Sequence, residues 1–175
     1  SATASVEAIT LGGFEITGAE LELISDASGL RLSVSGETTV LGTTFTVDGT
    51  LDSQLQGELT LTRQGAAPQF GFLSAHNSAL FKLVLESSGG SVHFEGSVVG
   101  FAYHNSSLQM SGTIGSNGGF SLTGSAGNVW FTPYNIKNTT VTVASTDGVA
   151  TVSYSGEYSA LGADFTVNGE IDSSG

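Results

Sequence analysis

Residues 31–53, RLSVSGETTVLGTTFTVDGTLDS, recur as residues 151–173, TVSYSGEYSALGADFTVNGEIDS, with twelve of the 23 aligned positions identical at an offset of 120. A chain that repeats itself at a fixed interval builds one supersecondary unit several times over, so the repeat is the first constraint on its fold. Half of that offset, 60, locates a fainter middle copy. Leu32, Val34 and Gly36 correspond to Val92, Phe94 and Gly96, and then to Val152, Tyr154 and Gly156. Upstream, Leu21 and Leu23 correspond to Phe81 and Leu83, and to Val141 and Val143. After an insertion of about three residues, MSGTIGSNG (110–118) aligns with VDGTLDSQL (47–55) and VNGEIDSSG (167–175). A second motif marks the seams between copies: GELTLTRQG (57–65) is similar to GFSLTGSAG (119–127), and each follows a strand and a short polar turn, as in a hairpin. The expected organisation is three divergent repeats of about sixty residues, at 1–56, 57–118 and 119–175, within one continuous structural unit.

Within the repeats the hydrophobic pattern has period two, the signature of strands with one apolar and one polar face. Phe45, Val47, Gly49 and Leu51 alternate with Thr46, Asp48, Thr50 and Asp52. Phe165, Val167, Gly169 and Ile171 alternate with Thr166, Asn168, Glu170 and Asp172, and Leu108, Met110, Gly112 and Ile114 keep the pattern in the middle copy. Asp48-Gly49 and Asn168-Gly169 are hairpin-turn dipeptides, yet the inward pattern runs through them, which favours a continuous, kinked strand with glycine at a bulge or close approach. Strands fall about every 12 residues, the spacing of sandwiches and barrels, giving about five strands per repeat. Residues 134–140, YNIKNTT, read as a loop. The expected fold is all-β: antiparallel repeats forming an elongated sheet, sandwich or solenoid-like array, with a closed pseudo-threefold barrel or prism as the alternative.

Composition narrows the function. Hydrophobic residues make up 39% of the chain, too many for a disordered segment. The net charge is −12, and Arg31, Arg63, Lys82 and Lys137 are the four Lys and Arg residues. Four scattered cations make no basic patch to neutralise a phosphate backbone or dock on anionic lipid, so neither nucleic acid nor an acidic membrane surface is expected as a partner. No apolar run reaches the roughly twenty residues that a membrane-crossing helix needs. There is no cysteine, hence no thiol or disulfide chemistry. No secretion signal is visible, and a start at Ser1 rather than Met suggests a processed or excised product. Few lysines with many Ser, Thr and Gly suggest an extracellular or cell-surface setting.

No segment carries a nucleophile elbow or a nucleophile–base pairing, and the positions kept between copies are apolar residues and glycines; the chain is expected to be non-enzymatic and to need no cofactor. His93 and Glu95 form an H-x-E pair of the kind that begins a zinc site, but nothing requires His76 or His104 to converge on it, and solvent-facing histidines are the simpler reading. Asp26, Asp48, Asp52, Asp147, Asp164 and Asp172 fit no calcium loop and read as a solvated face that resists edge aggregation. Trp130, Phe131 and Tyr134, with Tyr103, form a candidate platform for a sugar ring; the apolar counterparts Ile9, Leu11 and Phe14 instead suggest core. Asn105 and Asn138 head N-glycosylation sequons in predicted loops.

The ends of the repeat pattern carry the sharpest expectation. The strand at 164–172 has no following seam strand, and an unpaired strand with an apolar face is an edge that seeks a partner. The ends could meet in a closed barrel, the chain could be a piece of a longer array, or one molecule could add its edge to the next as a filament. The expected function is therefore an extracellular β-rich filament, surface layer, matrix or adhesin stalk, self-associating or joined to neighbouring repeats through Val6, Ile9, Leu11, Phe165, Val167 and Ile171. The alternative is a lectin-like, glycan-binding module.

Overall fold

A computed structural model describes residues 1–27, 29–71, 73–99, 108–131, 134–146 and 148–172. Period-two segments become strands throughout, and no helix forms among the described residues. The strands are β1 (Ala2–Leu11), β2 (Phe14–Asp26), β3 (Gly29–Val40), β4 (Thr43–Leu51), β5 (Gly57–Gln64), β6 (Gln69–Phe70), β7 (Leu73–Ala75), β8 (Leu80–Glu86), β9 (Gly89–Val99), β10 (Leu108–Ile114), β11 (Phe120–Phe131), β12 (Tyr134–Thr146), β13 (Val149–Ala160) and β14 (Ala163–Asp172). They form one open antiparallel sheet in the order β1-β2-β3-β4-β5-β8-β9-β10-β11-β12-β13-β14, with the β6–β7 hairpin attached through β7 to β9. The sheet does not close: β1 and β14 each have a single neighbour, so the pseudo-threefold barrel or prism is not the topology.

The chain forms two compact units. The first comprises residues 1–68, 80–93 and 114–118. Its core is built by the inward residues of successive strands, including Phe14, Ile16, Val34, Phe45, Val47, Leu59, Leu83 and Ile114. Phe45 and Phe81 meet with ring centroids 4.9 Å apart. The β1–β2 turn is fastened to the start of β9 by the Gly90 N–H, which donates to the Gly12 carbonyl at 3.1 Å. The second unit comprises residues 69–79, 94–113 and 119–175. Here Phe70, from the β6–β7 hairpin, packs edge-on against Phe94 and Phe120 at 5.1 and 5.2 Å.

Strands β1–β4 and β11–β14 share their pairing detail at an offset of 120. The β3–β4 register, Leu32↔Leu51 through Val40↔Thr43, reappears as Val152↔Ile171 through Ala160↔Ala163. The β2–β3 ladder slips by one residue between Thr17 and Glu20, and the β12–β13 ladder slips between Lys137 and Thr140. The extra residue at each slip turns the backbone left-handed: Gly18 has φ 55° and Asn138 has φ 49°. Glycine adopts that conformation freely, and asparagine is among the few other residues that tolerate it. Each bulge shifts the inward phase, from Phe14 and Ile16 to Ala19 in β2, and from Ile136 to Thr139, Val141 and Val143 in β12.

That phase shift explains two corrections. Residues 134–140 are strand rather than loop, because a bulge at Asn138 breaks the alternation that would have revealed them. For the same reason the Asn138 sequon lies on a strand. A third difference is distribution. Residues 1–56 hold four complete strands, β1–β4, and residues 119–175 hold four, β11–β14, while β5–β10 fall between. The hairpin of β6 and β7 has no equivalent elsewhere among the described residues. Asp48-Gly49 is not a turn; it lies inside β4, which is continuous.

Candidate assembly edges

The sequence FTVDG of β4 and FTVNG of β14 sits on the same frame with opposite burial. Phe45, Val47 and Leu51 are fully buried, at 0%, 2% and 1% exposure, whereas Phe165 and Ile171 are 52% and 43% exposed and Val167 is half-buried. The cause is neighbourhood. β4 lies between β3 and β5, and β14 has only β13 beside it. The same phenylalanine and valine, with leucine exchanged for isoleucine, thus form core in one strand and an uncovered apolar row in the other.

β1 is the other edge. Val6 is 37% exposed and Ile9 and Leu11 are half-buried. Their odd and even numbering would place Val6 opposite the other two on a regular strand. Instead Val6 stands across from Ala19, Ile9 from Ile16 and Leu11 from Phe14. Those three partners are all buried, so the Gly18 bulge brings Val6, Ile9 and Leu11 onto one face. The six residues expected from sequence therefore occupy two edge strands, three on each.

β14 is acidic and hydroxyl-rich on its other side. Thr166, Asn168, Glu170 and Asp172 are exposed on β14. The Ser159 hydroxyl donates to the Asp164 carboxylate at 2.5 Å and accepts from Lys137 Nζ at 3.1 Å, tying the outer end of β14 to β13. Across β13, the Tyr154 ring lies over Gly169, where an added Cβ would stand 2.1 Å from ring atoms.

The remaining candidates are placed as follows. Two of the aspartates serve local structure: Asp26 pairs with Arg31, and Asp52 Oδ1 accepts from the Gln54 and Gln56 N–H groups at 2.8 and 2.9 Å, closing the β4–β5 turn, while Asp147 lies outside the described residues. His76 Nδ1 contacts Ser78 Oγ at 3.0 Å. His93 and Glu95 are exposed on β9, His104 lies outside the described residues, and no group of three or more His, Cys, Asp or Glu among the described residues is placed to hold a metal ion. Tyr103 and Asn105 also lie outside the described residues. Trp130 and Tyr134 are on β11 and β12, opposite Asn135 and Phe131. Asn138 is exposed, and its amide donates to Glu157 Oε2 at 2.9 Å. What sequence reasoning missed is Tyr154, which reads as an ordinary core position and instead covers the glycine of the edge strand. Set against protein families, curated proteins and solved structures, the chain matches none.

Proposed function

We propose that this chain is a non-enzymatic structural protein of an extracellular β-rich filament, surface layer, matrix or adhesin stalk, assembling through its edge strands. The observation that carries the reading is the exposure of Phe165 and Ile171 beside the complete burial of their counterparts Phe45 and Leu51. An apolar row on an open strand is a template for pairing with another chain, and natural monomers blunt such edges rather than display them. The acidic, hydroxyl-rich outer face keeps assemblies dispersed.

A threefold repeat supports the same reading, since a module built to stack on itself needs a strand at each end that accepts the next module. Gly36, Gly96 and Gly156 each lie against the residue seventeen positions earlier, Ala19, Ala79 and Thr139, with added-Cβ distances of 3.3, 2.7 and 3.0 Å. On this reading the repeats are four-stranded meanders, with the middle one interrupted by the β6–β7 hairpin.

The test is sedimentation velocity on the wild-type chain and on Phe165→Asp/Val167→Asp, with circular dichroism to confirm that both are folded. Wild type is expected to form concentration-dependent oligomers and the double variant to stay monomeric. Equal sedimentation of the two folded proteins overturns the proposal.

A further inference from the structure

The internal junctions of this chain state what covers a strand of the β4 kind. In the first unit β5 covers β4, with Phe45 opposite Arg63, Val47 opposite Leu61 and Gly49 opposite Leu59. In the second unit β11 covers β10 in the same manner: a Cβ at Gly112 would stand 2.8 Å from Leu122 Cα, as one at Gly49 would stand 3.1 Å from Leu59 Cα. β14 is the third strand of this kind, matching β4 in sequence and in its pairing to the preceding strand. β1 is a strand of the covering kind. Its pairing with β2, Ala2↔Leu23 through Leu11↔Phe14, is the β11–β12 pairing Leu122↔Val143 through Phe131↔Tyr134 displaced by 120 residues.

The geometry points to a second copy of this chain as the occupant of β14, adding its β1 antiparallel in the register of the internal junctions. Transferring Gly49↔Leu59 and the Gly112–Leu122 contact by the repeat offset places Ala2 of the second copy opposite Gly169. It follows that Ala4 of the second copy stands opposite Val167 and Val6 of the second copy opposite Phe165. This inference rests on the assembly reading above and adds to it the partner, the direction and the register.

Side-chain size fits that register independently. Where Leu59 closes over Gly49 and Leu122 stands beside Gly112 at the internal junctions, the new junction offers only the methyl group of Ala2. The missing volume is already supplied by Tyr154, whose ring lies over Gly169. Val34 is the residue paired with Gly49, and Tyr154 is the residue paired with Gly169. A large residue on the preceding strand thus accompanies a small one on the covering strand. A slip by one residue would turn the apolar row of β1 to the opposite face. Asp164 meets Glu7 of the second copy in this register, and facing carboxylates oppose pairing, so added salt is expected to strengthen assembly.

Because the chain has no cysteine, engineered pairs report the register without background. Directly opposed strand residues lie within disulfide reach. Ala4→Cys/Val167→Cys and Val6→Cys/Phe165→Cys are in register; Ala4→Cys/Phe165→Cys is two residues out. Under mild oxidation both in-register variants are expected to give intermolecular ladders on a non-reducing gel, at least tenfold stronger than the out-of-register one. Ladders as strong from the out-of-register variant overturn the register while leaving edge assembly intact. Only intramolecular loops overturn the second copy as occupant. Folded variants that give no ladder, together with a monomeric wild type, overturn the assembly reading itself.

Discussion

Asn138 occupies a backbone conformation that Gly18 adopts at the matching bulge. A side chain with a Cβ pays roughly 1–2 kcal/mol there unless it is asparagine or aspartate, whose short polar group bonds locally. Asn138→Ala is expected to lower stability by about 1–2 kcal/mol, while Asn138→Gly, which loses the same exposed bond to Glu157 but frees the backbone of strain, is expected to lower it less. Urea unfolding midpoints at unchanged slope measure both. At the same scale, Lys82 Nζ donates to Glu58 Oε2 at 2.8 Å. That hydrogen bond, then the charge of Lys82, holds the Glu58 carboxyl below the usual carboxylate range, with His93 adding a smaller pull. A depressed carboxylate stabilises the fold above the ordinary carboxylate pKa, and the contribution is lost as pH falls through the folded value. Lys82→Met should move the Glu58 titration upward in NMR. Because the pair is exposed, stability at neutral pH should barely change.

Among elements, β4 and β14 allow a comparison, two closely similar sequences in two neighbourhoods. Phe45→Ala removes a fully buried ring that packs against Phe81 and should cost about 3–5 kcal/mol. Phe165→Ala, at a site 52% exposed, should cost about 1 kcal/mol or less in the dilute chain. Thermal unfolding of the two variants at low concentration decides it. The alternation in both strands is plain in the sequence, including the run through Asp48-Gly49. Their difference is not, because burial depends on which strand lies alongside. β12 was hidden for a local reason: its bulge puts Ile136 and Thr139 on one face at a spacing of three, which breaks the alternation of a strand. The β6–β7 hairpin was hidden by brevity, since strands of two and three residues carry no period. That Phe165, Val167 and Ile171 lie on the last strand was legible from chain order. That Val6 shares a face with Ile9 and Leu11 needed the left-handed turn at Gly18.

For the whole molecule, an open sheet ends in an apolar row on β14 and in β1, whose pairing to β2 repeats that of β11 to β12. On the assembly reading, the head-to-tail contact between unlike edges repeats from copy to copy without closing, which generates a fibre. The charge of −12 opposes close approach of copies, so growth should rise with ionic strength as repulsion is screened. The most direct measurement is negative-stain electron microscopy of the purified chain over a concentration series at moderate salt, with light scattering on the same samples. The account predicts filaments whose mass grows with concentration. A uniform particle of 17.7 kDa at every concentration would contradict it.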